Sequence, residues 1–541
     1  MNSPIPHNGA LRIVFNLVLL SLLCIPITTL AQFSFVTNAD NTIRITGYTG
    51  PAGGVTIPDM TNGYPITSIG NSAFNGQTGV TRVTLPDSIT NIGNFAFAFC
   101  SGMTNVALGS NVLNIGTSAF QNCVKLRQIV LSDSLTNVGS MAFQFCSALT
   151  NVIMGTNVLV IGDSAFRSCS SLTNIFSIGR TVLKIGSAAF VGCGLTAFTV
   201  DDANPVFSEE SGVLFNKDQT VLIGFPGAGA GSYVVPNSVV TIGDWAFSEC
   251  TRLTNVLISA TVTNLGSQGF SKCTKLASIN IPDGMTHIGE WTFYQCQALT
   301  GIVFPDSLTS IGAEAFAASG LTNVMIPDSV TEIGIGAFEA TQIKSVTVGI
   351  GVTAISFGMF QNCGSLTNVI LPDSLTYIDD YAFAECKKLS SITIPSSVTL
   401  IDGWAFFHCT GLRSIYFFGD APTLGDFAFG GLSAVFPPVV YFKPGTKGWS
   451  STFSGFATRF IFLPNPVILS DDGTFGVGTS GFGFTIAWAT NASIVIESCT
   501  NLGSLGWEPV QTNELVADSV YFSDPEWTNY PHRFYRVRLH F

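Results

Sequence analysis

Charge is scarce in this sequence: only 10% of its 541 residues are charged, and the formal net charge is −12. There are 22 lysines and arginines and 5 scattered histidines, so no basic stripe could follow a phosphate backbone. The composition therefore argues against a nucleic-acid partner. Long apolar runs are also scarce, since none of membrane length follows the first 31 residues. We expect no transmembrane segment in the mature chain.

Motifs that mark catalysis or cofactor binding are also missing. No GxSxG turn, HExxH helix, CxxC pair or spaced Cys/His set occurs, and His287 and His408 stand alone. The segment from Gly476 to Gly481 formally fits GxGxxG, but a strand-like alternation follows it where a helix would be needed. We therefore predict a protein that is not an enzyme and has no catalytic residue, cofactor or metal.

What the sequence does have is a repeat. An apolar residue followed five places later by Phe occurs fifteen times between Ile69 and Phe429, and ten of the fourteen intervals are 23 residues. One interval is 24, two are 22, and one is 57. A full unit is approximately IGxxAFxxCxxLTNVxLPDSVTx. Each unit is too small to bury its own apolar side, so the units must stack as the coils of a solenoid.

The fixed positions predict the course of one coil. The segment LTNVxL alternates as a strand with one face inward, and the Pro after it ends the strand because it cannot donate to a sheet. DSVT is a turn, and a second short extended piece ends at IG. The segment xxAFxxC is a compact turn or a single helical turn that brings Phe back inside. The strands form a parallel sheet along one side.

This unit resembles the BspA-like leucine-rich repeat family of bacterial surface proteins over about residues 40 to 445. The resemblance implies a right-handed leucine-rich-repeat coil with a parallel β-sheet on one face. It also implies export and a role in adhesion or protein binding at the cell surface, with no chemistry attached to the repeat.

The chain divides into five predicted segments. Residues 1–31 are a signal peptide with cleavage after Ala31, which predicts a secreted or cell-surface protein; the alternative is a lipoprotein with Cys24 lipidated. Residues 32–68 form a capping hairpin and first strand. Residues 69–445 are the solenoid, with a hairpin excursion at 201–231, and residues 446–463 are a cap or linker. Residues 464–541 form a small all-β sandwich that loosely resembles fibronectin type III domains.

Cysteine recurs at one place in the unit, three residues after the signature Phe. In an exported protein so many cysteines would suggest disulfides, but side chains on the same rung all point inward in parallel. We therefore favour a ladder of buried free thiols. Its eleven members are Cys100, Cys123, Cys146, Cys169, Cys193, Cys250, Cys273, Cys296, Cys363, Cys386 and Cys409.

Aspartate recurs in the PDS turn. A weak calcium site along that edge is one interpretation, and side-chain bonding within the turn is the one we favour. The residues are Asp87, Asp133, Asp283, Asp306, Asp328 and Asp373.

The variable positions that point outward from the sheet are the candidate binding residues. Position 3 of LTNVxL is rich in amides, and position 5 is apolar in half of the units, which is typical of a contact surface. The alternative is that apolar residues at position 5 reflect strand preference alone. The candidate ligand-binding residues are Val130, Asn151, Ile153, Asn174, Phe176, Asn255, Leu257, Asn323, Met325, Asn368, Ile370 and Tyr416.

Three functions fit these observations. The first is an exported, non-enzymatic recognition or adhesion protein that binds a protein or peptide through the sheet face. The second is a structural spacer that holds the C-terminal domain away from a surface. The third is a glycan-binding accessory to polysaccharide degradation.

Overall fold

A computed structural model of the chain describes residues 32–461, 467–469, 475–478, 481–487, 492–500, 507–515, 519–530 and 532–539. The predicted signal peptide, with Cys24 and Ala31, lies outside the described residues. Contacts divide the chain into two compact units, Met1–Gly229 and Ala230–Phe541. No helix in the described ranges is long and apolar enough to cross a bilayer.

Both units confirm the predicted repeat solenoid. The LTNVxL segment forms a strand in nearly every coil, with an exception at residues 299–304, and we call the row of these strands the first ladder. Each coil also contributes a two-residue strand that ends just before the repeat's Gly, and we call that row the second ladder. Strands are numbered along the chain.

In the first unit, the first ladder consists of three short parallel sheets. Their pairings are β3 with β6 with β8, then β10 with β12, then β14 with β16. The strands are β3 (Gly53–Thr56), β6 (Val80–Thr84), β8 (Asn105–Ala107), β10 (Gln128–Val130), β12 (Asn151–Ile153), β14 (Phe176–Ile178) and β16 (Phe198–Val200).

The second ladder of this unit is one continuous sheet. It begins with the antiparallel pair of β1 and β2, passes to β5, which also pairs with β4, and continues in parallel from β7 to β15. The strands are β1 (Phe33–Thr37), β2 (Ile43–Tyr48), β4 (Met60–Thr61), β5 (Tyr64–Ile69), β7 (Asn91–Ile92), β9 (Asn114–Ile115), β11 (Asn137–Val138), β13 (Val160–Ile161) and β15 (Lys184–Ile185). Three antiparallel strands follow, β17 (Phe207–Glu210), β18 (Val213–Asn216) and β19 (Val221–Gly224).

The xxAFxxC segment is a turn and not a helix. The residues two before and two after the signature Phe are left-handed, as at Met141 (φ 57°) and Phe145 (φ 61°) on either side of Phe143. This geometry aims the Phe backbone N–H along the solenoid, so Phe143 donates to the carbonyl of Ala165 in the next coil at 2.8 Å. The turns thus add a third row of coil-to-coil hydrogen bonds. Gly139 is required because a Cβ there would lie 2.6 Å from the carbonyl carbon of Gly116.

The core of the first unit is a stack of the signature phenylalanines. From Phe74 to Phe190, successive rings stack with centroids 4.8–5.9 Å apart. Every ring therefore packs against the rings of the neighbouring coils. This is the expected solution for coils that cannot bury an apolar face alone.

The second unit repeats the same plan, with its signature rings from Phe247 to Phe429 stacked 4.7–5.7 Å apart. Its first ladder contains β20 (Gly231–Val234), β22 (Leu253–Leu257), β24 (Ser278–Ile279), β27 (Asn323–Met325), β29 (Ser345–Thr347), β31 (Asn368–Ile370), β33 (Ser391–Ile394), β35 (Ser414–Phe417) and β37 (Val439–Phe442). β39 (Phe456–Phe460) pairs in parallel with β37, and β38 (Thr452–Phe453) pairs antiparallel with β39. Parallel pairing therefore extends into the residues predicted as a cap or linker.

The second ladder of the second unit forms two parallel runs. The first contains β21 (Thr241–Ile242), β23 (Asn264–Leu265), β25 (His287–Ile288), β26 (Ser310–Ile311) and β28 (Glu332–Ile333). The second contains β30 (Ala354–Ile355), β32 (Tyr377–Ile378), β34 (Leu400–Ile401) and β36 (Thr423–Leu424).

The C-terminal segment contains two antiparallel sheets. One joins β40 (Val467–Leu469), β41 (Gly476–Gly478), β42 (Gly481–Ala487) and β45 (Ser519–Asp524), and the other joins β43 (Ala492–Cys499), β44 (Glu508–Leu515) and β46 (Phe534–Leu539). A single 3₁₀ turn occupies Trp527–Asn529. Phe484, Ile494 and Phe522 share one buried cluster, so both sheets contribute to a common core.

Candidate functional site

The candidate site is the outward face of the first ladder. Because side chains alternate along a strand, position 4 of each strand points inward and positions 3 and 5 point outward. Ile129 in β10 is buried, whereas its neighbours Gln128 and Val130 are exposed. The period-2 prediction is therefore correct for this coil.

Most of the predicted apolar residues are exposed. Val130 and Ile153 are half exposed and lie side by side on β10 and β12. Leu257 in β22 lies beside Val234 of β20 and is also half exposed. Met325 is 72% exposed, and the register of β27, β29 and β31 aligns it with Thr347 and then with Ile370, which is 52% exposed. These residues form apolar patches on neighbouring strands, which is the arrangement of a contact surface.

The amide lane lies beside these patches. Asn151, Asn174, Asn323 and Asn368 are exposed, and Asn255 is half-buried. Their side-chain contacts are few: Asn368 Nδ2 donates to Ser345 Oγ at 3.0 Å, Asn174 Nδ2 to the carbonyl of Thr150 at 3.4 Å, and Asn323 Nδ2 to Thr322 Oγ1 at 3.4 Å. The lane therefore keeps hydrogen-bonding capacity for a partner and carries no charge.

Phe176 corrects one prediction, because it does not face outward. It is only 3% exposed, and its ring lies 4.5 Å from Phe190 and 5.5 Å from Phe166 in the core. Its coil belongs to the 24-residue interval, whose extra residue falls between Asn174 and Gly179. One added residue reverses the facing of every later side chain in a strand. Ile175, 59% exposed, takes the outward position.

Tyr416, the last predicted residue of the lane, is half-buried. Its ring stacks on Tyr441 of β37 at 5.0 Å. The lane therefore reaches one strand further than the repeat marker indicated, because β37 continues the ladder after the signature Phe has stopped recurring. The alternating VVYF of Val439–Phe442 was the available signal.

The predicted thiol ladder is confirmed, since all eleven cysteines are buried and none of them forms a disulfide. In ten of them the sulfur donates to a phenylalanine carbonyl of the preceding coil, as from Cys146 Sγ to Phe120 O at 3.1 Å. Burial raises the pKa of Cys100 and of Cys273 to about 12. The ladder is therefore structural and chemically inert at neutral pH.

Three of the six aspartates on this edge accept a backbone N–H from the following coil. Asp87 Oδ1 accepts the N–H of Ser110 at 2.7 Å, Asp133 Oδ1 that of Thr156 at 2.9 Å, and Asp328 Oδ1 that of Ile350 at 3.0 Å. Each carboxylate thus caps the turn of the following coil. These bonds differ from the predicted ones, which lay within the aspartate's own turn, but they likewise explain the carboxylates without a metal.

One cluster of acidic residues was not predicted from the sequence. Asp379, Asp380 and Asp402 are half-buried, with carboxylate oxygens within 4.8 Å of one another. Tyr377 Oη lies 2.8 Å from an oxygen of Asp379 and 2.8 Å from one of Asp402, and its single proton can serve only one of them at a time. Burial, followed by the nearby Asp402 and Asp379, raises the pKa of Asp380 above its ordinary value. The signal was present, since Asp379 and Asp402 replace the Gly of IG.

This group is the one set of three or more possible metal ligands within reach of each other among the residues that the structure describes. It offers oxygen atoms alone, which suits a hard cation such as Ca²⁺ and not zinc. Beside it runs a row of aromatic rings, in which Trp404 stacks on Tyr381 at 5.5 Å and on Phe427 at 6.0 Å. Both faces of Trp404 are thus covered by neighbouring rings.

One family of repeat proteins matches more than half of this chain. The model of the BspA type leucine-rich repeat region matches residues 67–201, 225–342 and 331–435, in six copies. No match was found among curated proteins.

Two solved structures illustrate the similarity. A leucine-rich cell surface protein from Faecalibacterium prausnitzii is 26% identical, with a TM-score of 0.50, and the match covers 68% of this chain and 95% of that one. The pneumococcal vaccine antigen PcpA is 20% identical, with a TM-score of 0.51, covering 71% and 91%, and supports the fold alone. With its family model matched over more than half its length, the chain belongs to the BspA type leucine-rich repeat family.

Proposed function

We propose that this protein is an exported, non-enzymatic recognition or adhesion protein of the cell surface. It binds a protein or peptide partner through the outward face of the first ladder. The observation that carries this proposal is the exposure of apolar side chains along the ladder: Val130 and Ile153 lie on neighbouring strands, and Met325 and Ile370 lie two strands apart with Thr347 between them. The similar protein from F. prausnitzii is described as a cell surface protein, which supports the location.

The chemistry of this face suits a protein partner. An apolar centre flanked by polar, uncharged groups is typical of protein interfaces, in which charged residues are depleted at the core. The apolar patches supply the area to be buried, and the exposed amides of Asn151 and Asn368 lie next to them on the same strands. A glycan would stack on an exposed aromatic ring, and Phe176, one of the two aromatic residues predicted in the lane, is buried.

The experiment is a capture of extracellular proteins by the immobilised mature chain, followed by titration with the identified partner. Two lane variants are compared with the wild type, Ile153→Asp in the first unit and Met325→Asp in the second. Each has a control of similar exposure outside the first ladder, Leu183→Asp (50% exposed) and Ile335→Asp (58% exposed). All four place a charge on an exposed position, so they differ in location and not in chemistry.

We expect a lane variant to lose the partner while both controls retain it. Equal capture by lane and control variants would show that the first ladder is not the binding face. Absence of any specific partner would favour the structural spacer. Loss of capture after enzymatic removal of glycans from the partner would favour the glycan-binding alternative.

A further inference from the structure

The first ladder of the first unit has a gap between β8 and β10. Neighbouring coils are joined just after the strand by a backbone bond, from Leu85 N–H to Ala107 C=O and from Leu131 N–H to Ile153 C=O, both 2.9 Å. Among the described residues no equivalent bond joins Leu108 N–H to Val130 C=O, and the two strands belong to separate sheets. The backbone groups that would have paired are left facing the space between the coils.

A cleft of about 580 Å³ opens at this gap. That volume lies within the range of sites that bind small ligands or short segments of chain. Its walls include the amides Asn105 and Gln128 and the exposed apolar side chain of Val130. Asp87, Asp133 and Leu108 line it as well.

Both carboxylates are ionised, and each accepts a backbone hydrogen bond. Bonding to the backbone N–H of Ser110 lowers the pKa of Asp87, and bonding to that of Thr156 lowers the pKa of Asp133. Neither has an ion-pair partner in the part of the chain that the structure describes. Arg82, which is next to Asn105 in the strand register, pairs with neither of them. The cleft is therefore negative at neutral pH.

The spacing of the two charges limits what can bind. Asp87 and Asp133 belong to coils two steps apart, since Ser110 holds the same turn position in the coil between them. Two strand spacings amount to roughly 10 Å. A single Ca²⁺ ion needs its oxygen ligands at about 2.3–2.6 Å, so it cannot bridge them. An elongated ligand with cationic side chains can reach both.

We propose that this cleft binds an extended peptide that carries lysine or arginine side chains. The inference rests on the proposed function and specifies the chemistry of its partner. The peptide backbone takes the hydrogen bonds that Leu108 N–H and Val130 C=O do not make to each other. Its cationic heads pair with Asp87 and Asp133, and its apolar stems lie on Val130.

The test begins with a random 12-residue peptide library selected against the full mature chain. Selected peptides are then titrated against the wild type and two variants. Asp87→Asn combined with Asp133→Asn removes both charges and keeps a side-chain oxygen to accept the backbone N–H bonds. Ala107→Trp fills the cleft. The matched controls are Asp283→Asn with Asp306→Asn, which change the same turn position in the other unit, and Thr393→Trp, an exposed first-ladder position outside the cleft.

We expect selected peptides enriched in lysine and arginine. Their affinity should fall at least about fivefold in the double Asp→Asn variant and on raising the salt concentration, because exposed ion pairs are weak and screened. Ala107→Trp should abolish binding, and neither control should change it. Failure to select binders, enrichment of peptides without basic residues, or equal affinity for variants and controls would overturn the proposal. If partner capture fails in Ile153→Asp but persists in the cleft variants, the proposed peptide site in the cleft is wrong and the proposed function is still supported.

Discussion

Removing one ring from the phenylalanine stack is the sharpest perturbation that this fold offers. Phe143 is fully buried, and it packs between Phe120 at 5.3 Å and Phe166 at 5.4 Å, with interplanar angles of 2° and 4°. Phe143→Ala therefore leaves a cavity with an aromatic ring on each side. Such truncations cost about 3–5 kcal/mol in close-packed interiors. The two lost ring contacts place this site toward the upper end of that range.

The control lies in the same turn. Phe145 is two residues away and 42% exposed, so Phe145→Ala removes an identical side chain from the surface. It should change stability by less than about 0.5 kcal/mol. Comparing the two variants isolates the effect of burial, because the same side chain is removed at positions two residues apart.

The assay must report on the correct unit. All seven tryptophans follow residue 229, so their fluorescence follows the second unit, and urea unfolding of Phe143→Ala should be followed by far-UV circular dichroism. Phe316→Ala is the counterpart for tryptophan fluorescence, since Phe316 is also fully buried in a stack. A loss below about 1 kcal/mol for Phe143→Ala, or equal effects at Phe143 and Phe145, would refute the stacked core.

Two further predictions concern the thiols and the acidic group. The eleven ladder cysteines should react with iodoacetamide at pH 8 only as the chain unfolds, and rapid labelling of the native chain would contradict their burial. Cys146→Ala should lower the free energy of unfolding more than Cys146→Ser, because serine keeps a donor for the carbonyl of Phe120. The raised pKa of Asp380 means that the folded state holds this proton more tightly, so the carboxylate destabilises the fold at neutral pH and the effect fades as pH falls toward and below its ordinary value of 3.8. Asp380→Asn should raise the thermal midpoint at pH 7 and lose that advantage by about pH 3, and a constant difference across this range would contradict the assignment.

The sequence was sufficient for the fold because period and burial coincide in a solenoid. The apolar residue of IG, the signature Phe and the Cys three places later recur at one spacing, so they had to occupy equivalent places in successive coils. The buried thiols follow from the same argument, since the Cys position recurs with the same period as the buried Phe. Ile129 and Val130 show that alternation alone was enough to assign inward and outward side chains in a coil of ordinary length.

Alternation was not enough where a coil departs from that length. The extra residue before Phe176 could have been placed in the strand or in the turn after it, and only the packing of its ring between Phe166 and Phe190 decides which. The missing backbone bond between Leu108 and Val130 is likewise not signalled by any residue type. The left-handed conformation of Trp404 (φ 53°) is equally hidden, because bulky residues rarely adopt it.

Native-state hydrogen exchange of the full chain is the most direct test of the claim that each coil is closed by its neighbours. The signature Phe amides donate to the next coil, as Phe97 does to Ala119 and Phe120 to Ala142, both at 2.7 Å. We predict strong protection of these amides in each coil, except those of Phe190 and Phe429, which make no such bond among the described residues, with opening energies shared between adjacent coils. Unprotected Phe amides, or protection confined to separate blocks between residues 69 and 429, would contradict the account.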